Sequence, residues 1–221
     1  MRSYTAIIFD LDGTLLNTLD DLADGVNIAL TSHGFPNRSI EEVRMAVGNG
    51  VARLMEAMIP QGKDNPDFEN CLATFRAAYA QIARNKTAPY AGIPEMLAQL
   101  SAAGCKLAVV SNKFHDAVCE LVQYYFPSIP VAVGEREDMG IRKKPAPDTV
   151  FAVMQQLDVP PAECVYIGDS DVDIATAQNA GIDCISVTWG FRDRAFLLDH
   201  GATTFADSPA ELAQMLCCNK A

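Results

Sequence analysis

The 221-residue sequence has no apolar stretch approaching the ~20 residues that a membrane-spanning helix needs. The apolar run at its start, Ala6 to Phe9, ends after four residues at Asp10, too short for a signal peptide, so a cytoplasmic location is expected. Basic charge is also scarce: 17 Lys plus Arg face 28 Asp plus Glu, a net charge of −11, and the one basic run is Arg142-Lys143-Lys144. Nucleic-acid backbones and anionic membranes attract positively charged surfaces, so neither is an expected partner. No CxxC occurs, the seven cysteines are odd in number, zinc-ligand spacing is absent, and Cys217-Cys218 are adjacent, a poor disulfide geometry. Reduced, buried thiols are the expected state. There is no internal repeat, and 49% hydrophobic with 20% charged residues is ordinary globular usage. A chain of this length buries roughly 70% of its unfolded surface and needs no staples.

What is present reads differently in its two halves. Thr5 to Phe9 is a short strand that ends in acids. Leu16, Leu19, Leu22, Ala23, Val26 and Leu30 recur at helical spacing. Ser39-Ile40-Glu41-Glu42 is a capping-box signature that opens a second helix, Gly48-Asn49-Gly50 breaks it, and Val51 to Ile59 resumes until Pro60-Gln61-Gly62. After Asn65-Pro66, Phe68, Cys71, Leu72, Phe75, Tyr79 and Ile82 share a helical face. Residues 15–86 therefore read as all-helical.

Past Pro89 short strands alternate with helices. Strands are expected at Leu107–Val110, Val131–Val133, Val165–Ile167, Cys184–Val187 and Thr203–Phe205. Helices are expected at Pro94–Ala103, Phe114–Tyr124, Asp148–Leu157 and Asp171–Ala180, with a last one capped by Ser208-Pro209. This alternation predicts a doubly wound parallel sheet of the α/β class. The helical block then reads as an insertion, giving a core of residues 1–14 and 87–221 and a helical domain of residues 15–86.

Ligands of an open parallel sheet bind at the carboxyl ends of its strands. Asp10-Leu11-Asp12-Gly13-Thr14, Ser111-Asn112-Lys113, Gly134-Glu135 and Gly168-Asp169-Ser170-Asp171-Val172-Asp173 each follow a strand, and Lys144-Pro145 lies further on. Asp10 and Asp12 are two apart, so at strand period their side chains face the same way. Two such carboxylates repel by about 4 kcal/mol at ~4 Å and an effective dielectric of about 20. With Asp169 as a third, the cluster calls for a cation or a shared proton, and oxygen-only ligands favour Mg²⁺ over Zn²⁺.

These residues resemble the haloacid dehalogenase superfamily of phosphotransferases, in particular its phosphoglycolate phosphatase-like group. Four motifs stand in order: Phe9-Asp10-Leu11-Asp12-Gly13-Thr14, Val110-Ser111-Asn112, Lys144 in Lys144-Pro145-Ala146-Pro147, and Gly168-Asp169-Ser170-Asp171-Val172-Asp173. The likeness covers nearly the whole chain, and the helical insertion resembles the family's C1-type cap. It implies that Asp10 is the nucleophile that forms an aspartyl phosphate and that Asp12 is the general acid and then the base. It implies Mg²⁺ held by the Asp10 carboxylate, the Asp12 backbone carbonyl and Asp169, with Ser111, Asn112 and Lys144 on the phosphoryl group and Asp173 orienting ligands and lysine. In the cap, Gly50 and Arg53 are weaker candidates for contacts to the leaving group.

The implied activity is Mg²⁺-dependent hydrolysis of a small soluble phosphomonoester, 2-phosphoglycolate-like or a sugar phosphate, by a monomer or weak dimer. A phosphomutase of the β-phosphoglucomutase type shares the motifs and cap and is the alternative, although Thr14 after Gly13 looks more like the phosphatases. A receiver domain lacks the insertion, and dehalogenase and phosphonatase members lack an acid at the position of Asp12. Of the remaining polar residues, Thr14 is expected to stabilise its turn and Lys113 to be solvated near the cleft. Asp171 is expected to sit at a helix N-terminus, where an acid suits the macrodipole. His33, His115 and His200 are expected on the surface or in the core, and Arg192 and Arg194 to be solvated. Trp189-Gly190-Phe191 either flanks the cleft or packs in the core.

Overall fold

The computed structural model describes residues 4–217, and Cys218 lies outside them. Contacts divide the chain into two compact units, one formed up to Leu15 and again from Pro89 onward, the other Leu16–Ala88. β1 (Ala6–Phe9) opens the first unit. The second then follows as β2 (Leu16–Asn17), α1 (Leu19–Ser32), α2 (Ile40–Ala46), α3 (Val51–Met58), α4 (Phe68–Ile82) and β3 (Ala88–Pro89). Leu16 thus leaves the helical face to which its spacing assigned it: Leu16–Asn17 pairs with Ala88–Pro89 as a two-stranded ribbon, and the helix starts at Leu19.

Local chemistry sets the helix ends of this second unit. Ser39 and Glu42 form the reciprocal capping box, with the Glu42 N–H donating to Ser39 Oγ at 3.3 Å and the Ser39 N–H to Glu42 Oε2 at 2.8 Å. Gly50 stands at the N-cap of α3 with φ 85, a left-handed conformation that glycine adopts without strain. Leu22, Val26 and Leu30 of α1 and Phe68, Leu72 and Phe75 of α4 are buried. Asp21 is wholly buried and receives the Lys86 and Thr87 N–H groups and the Thr87 hydroxyl, at 2.8–3.0 Å, tying α1 to the segment on which the chain leaves the unit.

The first unit continues with α5 (Ile93–Ala102), β4 (Lys106–Phe114), α6 (His115–Tyr125), β5 (Val131–Glu135), α7 (Asp148–Leu157), β6 (Cys164–Gly168), α8 (Asp171–Ala180), β7 (Asp183–Val187), α9 (Arg194–Asp199), β8 (Phe205–Ala206) and α10 (Pro209–Cys217). Six strands form one parallel sheet in the order β5-β4-β1-β6-β7-β8, with Ile7 opposite Leu107 on one side and Val165 on the other. Ile8, Ala108, Val110 and Tyr166 pack on Val150, Val153 and Met154 of α7 and Ala177 of α8. The residues between them, Ile7, Phe9, Val109 and Ile167, are equally buried, so both faces are covered. Chain order turns at β1, which places the carboxyl end of β1 at the crevice of a doubly wound sheet.

α9 carries no strong apolar period and was not expected. Arg192 is buried at 7% exposure, its guanidinium 5.4 Å from the Phe196 ring centroid, and is not solvated. Arg194 is exposed and pairs with Asp207 at 3.4 Å.

Candidate active site

At the carboxyl edge of the sheet one ammonium group organises three strand ends. Lys144 Nζ lies 3.0 Å from Asp10 Oδ1 and 2.7 Å from Asp173 Oδ1, and donates to the Tyr166 hydroxyl at 3.0 Å. The contacts with Asp173 and Tyr166 are hydrogen bonds, and that with Asp10 is an ion pair. The Tyr166 hydroxyl passes its own proton to the Val110 carbonyl at 2.9 Å. Asn112 fixes the lysine's backbone: its amide accepts from the Lys144 N–H at 2.8 Å and donates to the Lys144 carbonyl at 3.0 Å. Asp173 Oδ2 takes the Asp169 and Ser170 N–H groups and the Ser170 hydroxyl, at 3.2, 3.1 and 2.6 Å, which caps α8. Asp171 is the first residue of that helix.

Asp169 follows β6 and is 2% exposed. Its Oδ1 accepts the Thr14 hydroxyl at 3.0 Å and its Oδ2 the Phe191 N–H at 2.7 Å. Gly13, at φ 87, leaves no room for a side chain: a Cβ there would stand 2.7 Å from the Asp169 carboxyl carbon. Thr14 therefore does more than close its turn.

Lys113 is not solvated. Its side chain is 3% exposed, and Nζ donates to both oxygens of Asp12, at 2.9 and 3.2 Å. Each acid of the Asp10-Leu11-Asp12 run thus has its own lysine, which offsets the repulsion expected between them. Ser111 is buried beside Lys113 and its hydroxyl accepts the Lys113 N–H at 3.3 Å. In the second unit, Gly50 precedes α3, and Arg53 on that helix is 59% exposed and pairs with Glu56 at 2.7 Å.

Asp10, Asp169 and Asp173 bring carboxylate oxygens within 4.8 Å of one another. Burial pushes the Asp10 carboxyl well above the usual carboxylate range; Lys144 opposes this, and Asp173, Asp169 and Asp12 add to it. Burial, then Asp173, raise Asp169 to about 7 against the Phe191 N–H and Thr14 hydroxyl. Burial works against the Lys144 ammonium, but Asp10, Asp173 and Tyr166 outweigh it and hold it well above an ordinary lysine. One ammonium among three buried carboxylates leaves a deficit of positive charge. Asp10 Oδ2 accepts no hydrogen bond among the described residues, whereas both oxygens of Asp173 are engaged. The donor set fits a hard, oxygen-seeking cation on Asp10 and Asp169, with Asp173 serving the lysine.

The parts played by four residues escaped the sequence argument. Tyr166 sits in an apolar strand, and its only signal is that a buried tyrosine hydroxyl needs a partner. Lys113 shares strand period with Ser111, a signal that would have placed it inward. The Phe191 N–H belongs to the backbone and is not readable from residue type. Burial, then Asp169 and Asp12, push the Tyr90 hydroxyl up.

Fold and site together define an α/β enzyme with a buried carboxylate–lysine centre at the carboxyl edge of its sheet. Residues 7–187 match the model of the haloacid dehalogenase-like hydrolase family. A phosphoglycolate phosphatase of Pseudomonas putida is 33% identical over 214 residues, covering 92% of this chain and 74% of its own length. An N-acetylmuramic acid 6-phosphate phosphatase of Pseudomonas aeruginosa is 30% identical, covering 96% and 94%. A crystal structure from Lactobacillus delbrueckii subsp. bulgaricus, described as a candidate phosphoglycolate phosphatase, superposes with a TM-score of 0.91 at 37% identity, over 97% of this chain and 99% of that one. The chain belongs to the haloacid dehalogenase-like hydrolase family.

Proposed function

We propose that the chain is a Mg²⁺-dependent phosphatase that hydrolyses a small phosphomonoester through an aspartyl phosphate on Asp10. The observation that carries this reading is the state of Asp10: buried at the sheet edge, held at Oδ1 by the Lys144 ion pair and by the Leu11 N–H at 2.7 Å, with Oδ2 accepting no hydrogen bond among the described residues. An Asp10 oxygen attacks phosphorus, the ester P–O bond breaks, and Asp12 gives the leaving oxygen a proton. Asp12 then takes a proton from water as that water attacks phosphorus and the Asp10–phosphorus bond breaks. Inorganic phosphate leaves and both acids return to their starting states. Lys144 and Ser111 face the charge on the phosphoryl oxygens. Mg²⁺, held by the Asp10 and Asp169 carboxylates and the Asp12 carbonyl, would supply further positive charge to those oxygens.

For the substrate, 2-phosphoglycolate is the first reading, supported by the names of the Pseudomonas putida and Lactobacillus relatives. The Pseudomonas aeruginosa relative's name favours a second, a sugar 6-phosphate. Gly50 and Arg53 are the proposed leaving-group contacts. The exposed Arg53–Glu56 pair is a weak one, so a substrate carboxylate competes for the guanidinium at little cost.

Turnover of a panel of phosphate esters, with and without Mg²⁺, tests the reading. Stoichiometric inorganic phosphate that vanishes in EDTA and returns with Mg²⁺ is expected. Isomerisation of a sugar phosphate without phosphate release would favour the phosphomutase. Arg53→Ala should lower kcat/KM on 2-phosphoglycolate about tenfold to a hundredfold, the worth of one charge-assisted contact, and spare p-nitrophenyl phosphate. Equal losses on both would remove Arg53 from substrate recognition.

A further inference from the structure

The loop after β7 is built around one carboxylate. The two oxygens of Asp169 each take a hydrogen bond from a different strand-end loop, Thr14 after β1 and Phe191 after β7. Trp189 joins these two loops: its indole N–H donates to the Thr14 carbonyl at 3.0 Å. Gly190 lies so close to Asp169 that any Cβ there would collide with the Asp169 Cβ and carboxylate. The loop is pinned at both ends and has little freedom to yield. The Thr188 N–H donates to the Ala206 carbonyl at 3.2 Å and the Thr188 hydroxyl to Asp207 at 2.8 Å. Asp193 caps α9 by accepting the Phe196 N–H at 2.8 Å.

We propose that Trp189, Gly190 and Phe191 are the positioning loop for Asp169 as a divalent-cation ligand, with Trp189 acting through Thr14. The inference rests on the cation reading given under the proposed function. A ligand carboxylate needs partners that fix its orientation, and loss of such a partner costs about 10–100-fold in metal affinity. Gly190 supplies the space, Phe191 one hydrogen bond, and Trp189 the hold on the loop that supplies the other.

Calorimetric titration of Mg²⁺ into the full chain, without substrate, tests this. Gly190→Ala should weaken binding by about tenfold or more and Trp189→Phe by roughly three- to tenfold, with far-UV circular dichroism unchanged. In a Thr14→Val background Trp189→Phe should add less than about twofold, because residues acting through one path are not additive. Trp189 is also the sole tryptophan. Its emission should change on Mg²⁺ addition in the unmodified protein and stay constant in Asp169→Asn. If the unmodified protein binds Mg²⁺ and the Gly190 and Trp189 variants bind it equally tightly, the loop proposal is overturned and the cation reading stands. Additive losses in the double variant would overturn the route through Thr14. Absence of Mg²⁺ binding in the unmodified protein overturns both. Gly190→Ala and Thr14→Val decide the matter if Trp189→Phe fails to fold.

Discussion

Lys144 shows how much of this site hangs on one residue. Its ammonium pairs with Asp10 and Asp173 and donates to Tyr166, and burial already works against the Asp10 carboxylate. Removing one member of a buried ion pair costs roughly 3–5 kcal/mol, because the other charge stays behind unpaired. Lys144→Met should therefore lower the stability read from urea unfolding by about that amount in metal-free protein and eliminate turnover. Lys113 is the parallel case for Asp12. Lys113→Met should spare p-nitrophenyl phosphate, whose leaving group needs little protonation, more than an alkyl phosphate. Equal slowing of both esters would show that the Lys113–Asp12 pair has no part in proton transfer.

At the scale of elements, the strand–helix alternation made most of the first unit legible. Asp148–Leu157 and Asp171–Ala180 are helices at the residues expected: each opens on an acid and is closed by a residue in the left-handed conformation, Asp158 after the first and Gly181 after the second. The Ser39 box was equally plain, and Ser39→Ala should cost ~1 kcal/mol in thermal unfolding. What escaped was held by long-range contacts. β2 is two residues paired with a segment some seventy positions away, too short for any period to show. α9 is six residues long and is stabilised by its cap and by Leu197, which is wholly buried. Asp21 looks like an ordinary first-turn acid, yet it satisfies the donors of Lys86 and Thr87. Asp21→Ala removes the acceptor of the Lys86 and Thr87 N–H groups and of the Thr87 hydroxyl and should destabilise by roughly 2–4 kcal/mol, since a buried polar group that loses its partner costs about 1–3. In the site, residue types at strand ends made the acids and Lys144 readable. The pairings of Lys113, Tyr166 and the Phe191 N–H depend on how neighbouring strands meet, which one sequence does not display.

For the whole molecule the buried carboxylates couple stability to pH and metal. Asp169 is raised from 3.8 to about 7, so its neutral form is the one folding favours. That contribution is complete below the unfolded value near 4 and is lost as pH rises through about 7. It amounts to at most about 4 kcal/mol, taking 1.36 kcal/mol per unit. Metal-free protein should therefore melt at lower temperature at pH 8 than at pH 5.5. Mg²⁺ should raise the melting temperature more at pH 8, and Asp169→Asn should flatten both effects. A metal-free melting temperature that rises from pH 5.5 to pH 8 would contradict this assignment of charge.

The central claim is that Asp10 carries the phosphoryl group. Borohydride reduces an acyl phosphate to an alcohol, so enzyme quenched with it during turnover should carry homoserine at position 10, located by peptide mass spectrometry. The account predicts that conversion at residue 10 alone, dependent on both substrate and Mg²⁺. Phosphate release with Asp10 unreduced, or with the label on another residue, would contradict it.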